Sequence, residues 1–362
     1  MSVTSTEFSD RLVESTIISA GITNRSDEVG FTLMGAGGSD HLNPIQKNIS
    51  IKESIIMWLK NPIAHAMIEI FLDFVLGDGI TFEAVDPKVQ EVLDSFFNDI
   101  DNSWDEKALT RLRSLSLTGC LPIKPFVNPM TGLVKISTFY QENINRVEMD
   151  SENAERIDRI WINDNEYKVI TLNPKTQKYE GEIFYFTINR LLHSVNGLSD
   201  LFFTHDWLRL YDKSMFASME RIGFMLSHIW DVTIQNADEG TLRKRVAQLK
   251  ANPPRPGDFR IHNEKESWES KTPNLGGRDQ KESFDLYKGQ LIGGSRIPEH
   301  YFGVGGAINR STASEMNRPF FRKIRTRQRM VINMFRMMFD FQIFWSKEKG
   351  QLNGVEDFSY KI

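Results

Sequence analysis

The chain has 362 residues, 40% of them hydrophobic and 25% charged, with a net charge of −4, the make-up of an ordinary folded protein long enough for two or three domains. A single cysteine, Cys120, excludes an internal disulfide framework and a cysteine-built zinc site, and the seven histidines form no close ligand pair, so no metal or other cofactor is expected. The N-terminus lacks the basic and apolar stretches of a secretory signal, and the most apolar segments, 63–76 and 201–230, are too short or too charged to span a bilayer, which predicts a soluble intracellular product.

Residues 1–48 are polar with scattered glycine, including MGAGGSDH, and are expected to form a weakly ordered arm. Helices are expected over 51–60 and 62–76, with Pro62 at a first helical position and the GDG at 77–79 stopping the second, and then over 87–100 and 105–117. From Ile123 to Ile188 the period becomes that of strands, in IKPFVN, LVKISTFY, RIDRIWI, EYKVITL and EIFYFTI, separated by Asn, Asp, Gly and Pro turns. A mostly antiparallel β region follows from this pattern.

Trp207, Leu208, Tyr211, Met215, Met219, Ile222, Leu226 and Ile229 recur at steps of mainly three or four, which predicts one long amphipathic helix over 201–230. A small αββ insert comes next: a strand at 232–235, a helix at 240–250, a PPRPG turn, and strands at FRIHN and SWES. A second long helix over 279–292 returns the chain, so the insert is expected at the tip of two stalks.

The stretch PEHYFGVGGAINRSTASE then places three glycines before another helix. Glycine loops that open helices often cradle phosphate, but Ile308 and Arg310 stand where a P-loop or dinucleotide fingerprint needs glycine. TASE, at 312–315, has the pattern of a capping box, and Pro319 is expected to kink the helix or shift its start. Beyond it Arg318, Arg322, Arg325, Arg329 and Arg336 share one face, with Phe321, Ile324, Val331, Phe335 and Met338 opposite. Between Arg310 and Arg336 eight basic residues face one Glu, so this segment carries +7 and the remainder −11.

On NPIAHAMIEIFLDFVLGDGITFEA, NGLSDLFFTHDWLRLYDKSM, PPRPGDFRIHNEKESWE and PEHYFGVGGAINRSTASE, the chain resembles the portal proteins of tailed double-stranded DNA bacteriophages over about residues 45–345. The resemblance implies an α+β subunit: arm 1–48, wing 49–199, stem helix 200–231, clip 232–277, second stem helix 278–298, tunnel loop 299–311, long helix 312–340, and a last wing segment or crown base at 341–362. It also implies a homo-oligomeric ring, usually of twelve, at one capsid vertex of the virion. Double-stranded DNA passes through such a ring without sequence readout, and the terminase large subunit, head-completion or adaptor protein, capsid and scaffold are its partners; no membrane is involved. Many portal proteins continue into a helical crown, which is expected to be short or absent here.

Under this resemblance Tyr301, Val304, Gly305, Gly306, Asn309 and Arg310 are the candidates to face DNA, and Arg243, Lys244, Arg260 and Trp268 the clip residues to meet a partner. For Trp268 and Trp230 the preferred reading is that they fill the core of a small unit. The arginine stripe, 318–336, has two readings: carboxylates of a neighbouring subunit, preferred because a ring needs lateral contacts, or DNA phosphates, the footprint of a DNA-binding or DNA-processing protein. Asp73 with Asp78, and Asp99 with Asp101, lack a third ligand or a base at a recognisable spacing, and no Ser, His and Asp arrangement stands out. No catalytic site, and hence no enzyme, is expected.

Overall fold

A computed structural model of the chain describes residues 44–153, 155–191, 194–226, 229–235, 237–251, 265–271, 277–303 and 310–362. Residues 1–43 of the expected arm, and the PPRPG turn and FRIHN strand, lie outside that set. The chain divides into two units, one built from the segments up to Arg209 and from Lys288 onward, the other from Leu210–Tyr287.

The first unit opens with α1 (Pro44–Lys60) and α2 (Pro62–Leu76), which meet at 96°. Asn61 makes the corner: its backbone N–H still bonds Met57 of α1, while its side chain accepts the N–H groups of Ile63 and Ala64 at the start of α2. Gly77, at φ 53°, ends α2 as expected. Helix α1 starts at Pro44, inside the segment read as arm. Among the described residues no single helix is long and apolar enough to cross a membrane.

Strand β1 (Glu83–Ala84), α3 (Pro87–Phe97) and α4 (Trp104–Thr118) lead into β2 (Cys120–Val127) and β3 (Val134–Thr138). Next come β4 (Ile144–Met149), β5 (Ile157–Ile162), β6 (Asn165–Lys168), β7 (Thr171–Leu172), β8 (Tyr179–Glu180) and β9 (Phe184–Thr187). They form antiparallel sheets in the orders β3-β2-β9, β4-β5-β6 and β7-β8. Strand β4 was not expected; the polar run INRVEM hides an alternation in which Ile144 is buried and Asn145, Arg146 and Glu148 are exposed.

The edge of β3 is closed by side chains. Buried Asn102 donates to the Phe96 and Val134 carbonyls at 2.8 and 2.9 Å and accepts the Ile136 N–H at 2.8 Å. Buried Gln342 accepts the Val134 N–H at 2.8 Å and donates to Gly132 and Ser346. Two amides therefore satisfy backbone groups that a further strand would have paired.

Helix α5 (His205–Leu226) follows a short 3₁₀ turn, Phe202–Thr204. It is shorter than the expected stem helix because Ile229 and Trp230, which continue the helical period, begin strand β10 (Ile229–Ile234). In the second unit β10 pairs antiparallel with β11 (Glu266–Lys271), α6 (Glu239–Ala251) lies between them in sequence, and Tyr211 and Phe284 sit edge to face across α5 and α7 (Gly277–Ser295). In the first unit a 3₁₀ turn, Glu299–Phe302, precedes α8 (Arg310–Glu348), and β12 (Tyr360–Lys361) pairs with β1.

Helix α8 corrects the expected bounds of the last long helix. It is helical from Arg310, two residues before the Thr312 read as its cap, and it continues through Pro319 to Glu348 as one element of 39 residues. Its buried face is Phe320, Ile324, Val331, Met334, Phe335, Met338 and Phe339, with Phe320 taking the place assigned to Phe321, which is 41% exposed. Phe335 and Phe339 reach Trp104, Phe97, Phe96 and Phe82 at ring distances of 4.7 to 6.1 Å. Contacts of this kind add to the burial of the rings themselves.

His205, which fastens α5 to α1, is buried, with Nε2 2.9 Å from Ser54 Oγ. Burial lowers its pKa to about 4, with Arg209 acting the same way and Asp206 opposing; the Glu53 carboxylate, 3.6 Å from Nδ1, is also paired with Arg209. The unfolded imidazole takes a proton near pH 6.5 while the folded one stays neutral until about 4, so stability is complete above 6.5 and falls as pH drops toward 4, by up to about 1.4 kcal/mol per pH unit. Urea midpoints between pH 4 and 7 should show this slope, and His205→Gln should flatten it. At fixed pH, Asn102→Ala should cost about 2–4 kcal/mol with an unchanged m-value, since it leaves three buried backbone groups unpaired.

Candidate functional site

The two faces of α8 use their cations differently. On the inner side Lys323 is mostly buried, donates to the Ser295 carbonyl at 2.8 Å and lies 4.4 Å above the Phe71 ring. Burial pushes its pKa down to about 8, against the pull of Asp200. Arg327 pairs with Asp200 at 2.8 Å, both side chains about nine-tenths buried, and also stacks over Phe71 at 5.2 Å. Asn189 donates to the same Asp200 oxygen at 2.9 Å, and Gln328 donates to the last carbonyls of α2, on Phe74 and Val75. These cations join α8 to α2, to the end of α7 and to the segment ahead of α5.

The outer side carries the arginines expected there. Arg318, Arg322, Arg325, Arg329 and Arg336 are all exposed. Arg318 pairs with Glu315 at 3.0 Å, one turn away, in an open ion pair that contributes little. The Arg336 guanidinium donates to Asn333 at 3.5 Å. Among the described residues no carboxylate pairs with Arg322, Arg325 or Arg329. At 1.5 Å per residue the stripe runs about 27 Å, a row of guanidinium donors matched to carboxylate or phosphate oxygens.

The glycine loop is described only at its ends. Tyr301 is half-buried, its ring against Phe74 and Phe320 at 5.2 and 5.3 Å, so it anchors the loop's first end to the core. Gly303 adopts φ +75° as the closing residue of the 3₁₀ turn, a conformation that favours glycine. Val304, Gly305, Gly306 and Asn309 lie outside the described residues, and Arg310 is the first residue of α8.

In the second unit Arg243 and Lys244 are exposed on α6, and Arg243 pairs with Glu239 at 2.6 Å in the open. Leu242 and Val246, 42% and 51% exposed, fall one turn apart on the same helix. Trp268 stands opposite Val232 in the β10–β11 register, and Arg260 is outside the described residues. Of the acidic pairs, Asp99 and Asp101 have a structural role: Asp99 accepts the N–H groups of Asp101 and Asn102, and both aspartates bridge to Lys135. Among the described residues no three His, Cys, Asp or Glu are arranged to hold a metal ion.

No protein-family model matches the sequence and no curated protein is similar to it. Solved structures do share its fold. A chain described as the virion of native gene transfer agent (GTA) particle aligns at TM-score 0.52 and 10% identity, over 84% of this chain and 81% of that one. A chain from the neck of empty GTA particle, computed with C6 symmetry, aligns with the same values. A HK97 family phage portal protein from Corynebacterium diphtheriae aligns at TM-score 0.38 and 8% identity, over 74% of this chain and 83% of that one.

The inner and outer cations should respond differently to substitution. Asp200→Asn strips a buried guanidinium of its anion and should cost about 3–5 kcal/mol, whereas Arg325→Ala should stay within about 0.5 kcal/mol in the isolated chain. Urea denaturation of the two variants, at a protein concentration low enough to hold single chains, measures both.

Proposed function

We propose that the chain is a portal subunit, one member of a homo-oligomeric ring at a capsid vertex through which double-stranded DNA enters and leaves. The observation that carries this reading is a fold shared over 84% of the chain with proteins of the virion and neck of GTA particles, one of them in an assembly computed with sixfold symmetry. The order of elements supports it: a helix-and-sheet unit interrupted by two helices, α5 and α7, around a small hairpin unit, then a 3₁₀ turn closed by Gly303 and a long helix.

In this reading residues 49–199 are the wing, the helices α5 and α7 are the stems, and the β10–β11 and α6 unit is the clip that receives terminase and the head-completion protein. The loop between Gly303 and Arg310 is the tunnel loop beside DNA. A channel wall that lets DNA slide should carry little fixed positive charge, because each neutralised phosphate tightens binding and makes it salt-dependent. The acidic balance of the chain outside α8 fits that requirement.

Light scattering with negative-stain imaging tests the ring. Twelve copies of a 41.8 kDa chain give a particle of about 500 kDa with a central hole. A monomer at every concentration, binding duplex DNA with a steep salt dependence, would instead make the arginine face a DNA footprint.

A further inference from the structure

The outer face of α8 carries one feature that contact with duplex phosphates alone does not require. Phe321, 41% exposed, stands among Arg318, Arg322 and Arg325, with its ring held 6.2 Å from Phe74. A fixed aromatic ring surrounded by guanidinium groups is the composition of a protein–protein contact, where aromatic residues and Arg are enriched and Lys is depleted.

The chain also contains the complement. Between Glu91 and Glu106 there are six acidic residues and no basic one, whereas 318–336 holds seven basic residues and no acidic one. Asp99 and Asp101 are partly neutralised by Lys135, whereas Glu91, Asp105 and Glu106 are exposed and, among the described residues, have no ion-pair partner. Ile100, 87% exposed, projects between Asp99 and Asp101. Each surface thus combines charges of one sign with an exposed apolar side chain.

Among the described residues no ion pair joins the two surfaces within one chain. The acidic segment is fastened beside the far half of α8 through Trp104 on Phe335, 4.7 Å between rings. Phe335 lies ten residues beyond Arg325, about 15 Å along the helix. Two different, complementary surfaces on one unit make a head-to-tail contact, which closes into a ring when the rotation allows.

We infer that the arginine face of α8, centred on Phe321, docks the acidic 91–106 segment of a second copy of this chain, centred on Ile100. The inference rests on the ring reading and names the residues that would make its lateral contact. DNA is the competing occupant and a separate outcome of the test.

Three variants decide it: Arg322→Glu with Arg325→Glu and Arg329→Glu; Asp105→Lys with Glu106→Lys; and all five changes in one chain. Each is measured by sedimentation velocity over a concentration series and by duplex-DNA binding, and thermal melts verify the fold. The wild type should assemble, each single-surface variant should need at least about 100-fold more protein to do so, and the five-fold variant should regain assembly. An arginine variant that assembles like the wild type overturns the inference and leaves the ring reading standing. So does loss of DNA binding with assembly intact, which gives the stripe to phosphate. Failure of the five-fold variant to recover overturns the pairing of these two surfaces, and a wild type that stays monomeric removes both the ring and its contact.

Discussion

Between Arg318 and Arg336, α8 carries seven basic residues and no acidic one, and a helix of that composition alone in water would repel itself along its length. What holds it is its other face. Phe320, Ile324, Val331, Phe335 and Phe339 leave water against α2, α3 and Trp104, and at about 1.5–3 kcal/mol for each large side chain that burial outweighs the repulsion. The rest of the first unit is arranged around this contact: Gln342 ties α8 to β3, Gln328 ends α2, and Arg327 and Lys323 secure the segments on either side of the second unit. Charge that would be a liability on a free helix becomes affordable once the opposite face is fixed.

The signals legible in the sequence were local ones. Helix α2 was bounded correctly because Asn61, Pro62 and Gly77 set both ends through backbone chemistry that needs no partner. The arginine face was legible for the same reason, since a period of 3.6 is a property of the helix alone. Strand β4 was missed and α5 overextended because both depend on pairing at a distance: Ile229 and Trp230 continue a helical period until Lys271 and Ser270 recruit them into a ribbon. Similarly, Phe320 and Phe321 are adjacent and chemically identical, and only the position of Phe74 and Tyr301 decides which is buried.

The candidate site divides along the same line. Periodicity alone put Arg322, Arg325 and Arg329 on one face of α8, but it could not show that Lys323 and Arg327 are spent inside the chain while those three are not. That separation comes from Asp200 and Ser295, more than one hundred and about thirty residues away, respectively, from their partners. Buried amides are hidden still more deeply. Nothing around Asn102 or Gln342 marks either as a structural residue until β3 lies beside it.

The side-chain closure of β3 bears on how the chain behaves when many copies are crowded together. An open strand edge offers a row of N–H and C=O groups to any passing chain, and strands that pair across molecules lead to aggregates with no fixed size. At Val134 and Ile136 the groups that would template this are already taken by Asn102 and Gln342. Side chains that appear only to trim a sheet thus restrict association to surfaces that can saturate, and keep polymerisation through this edge from competing with them.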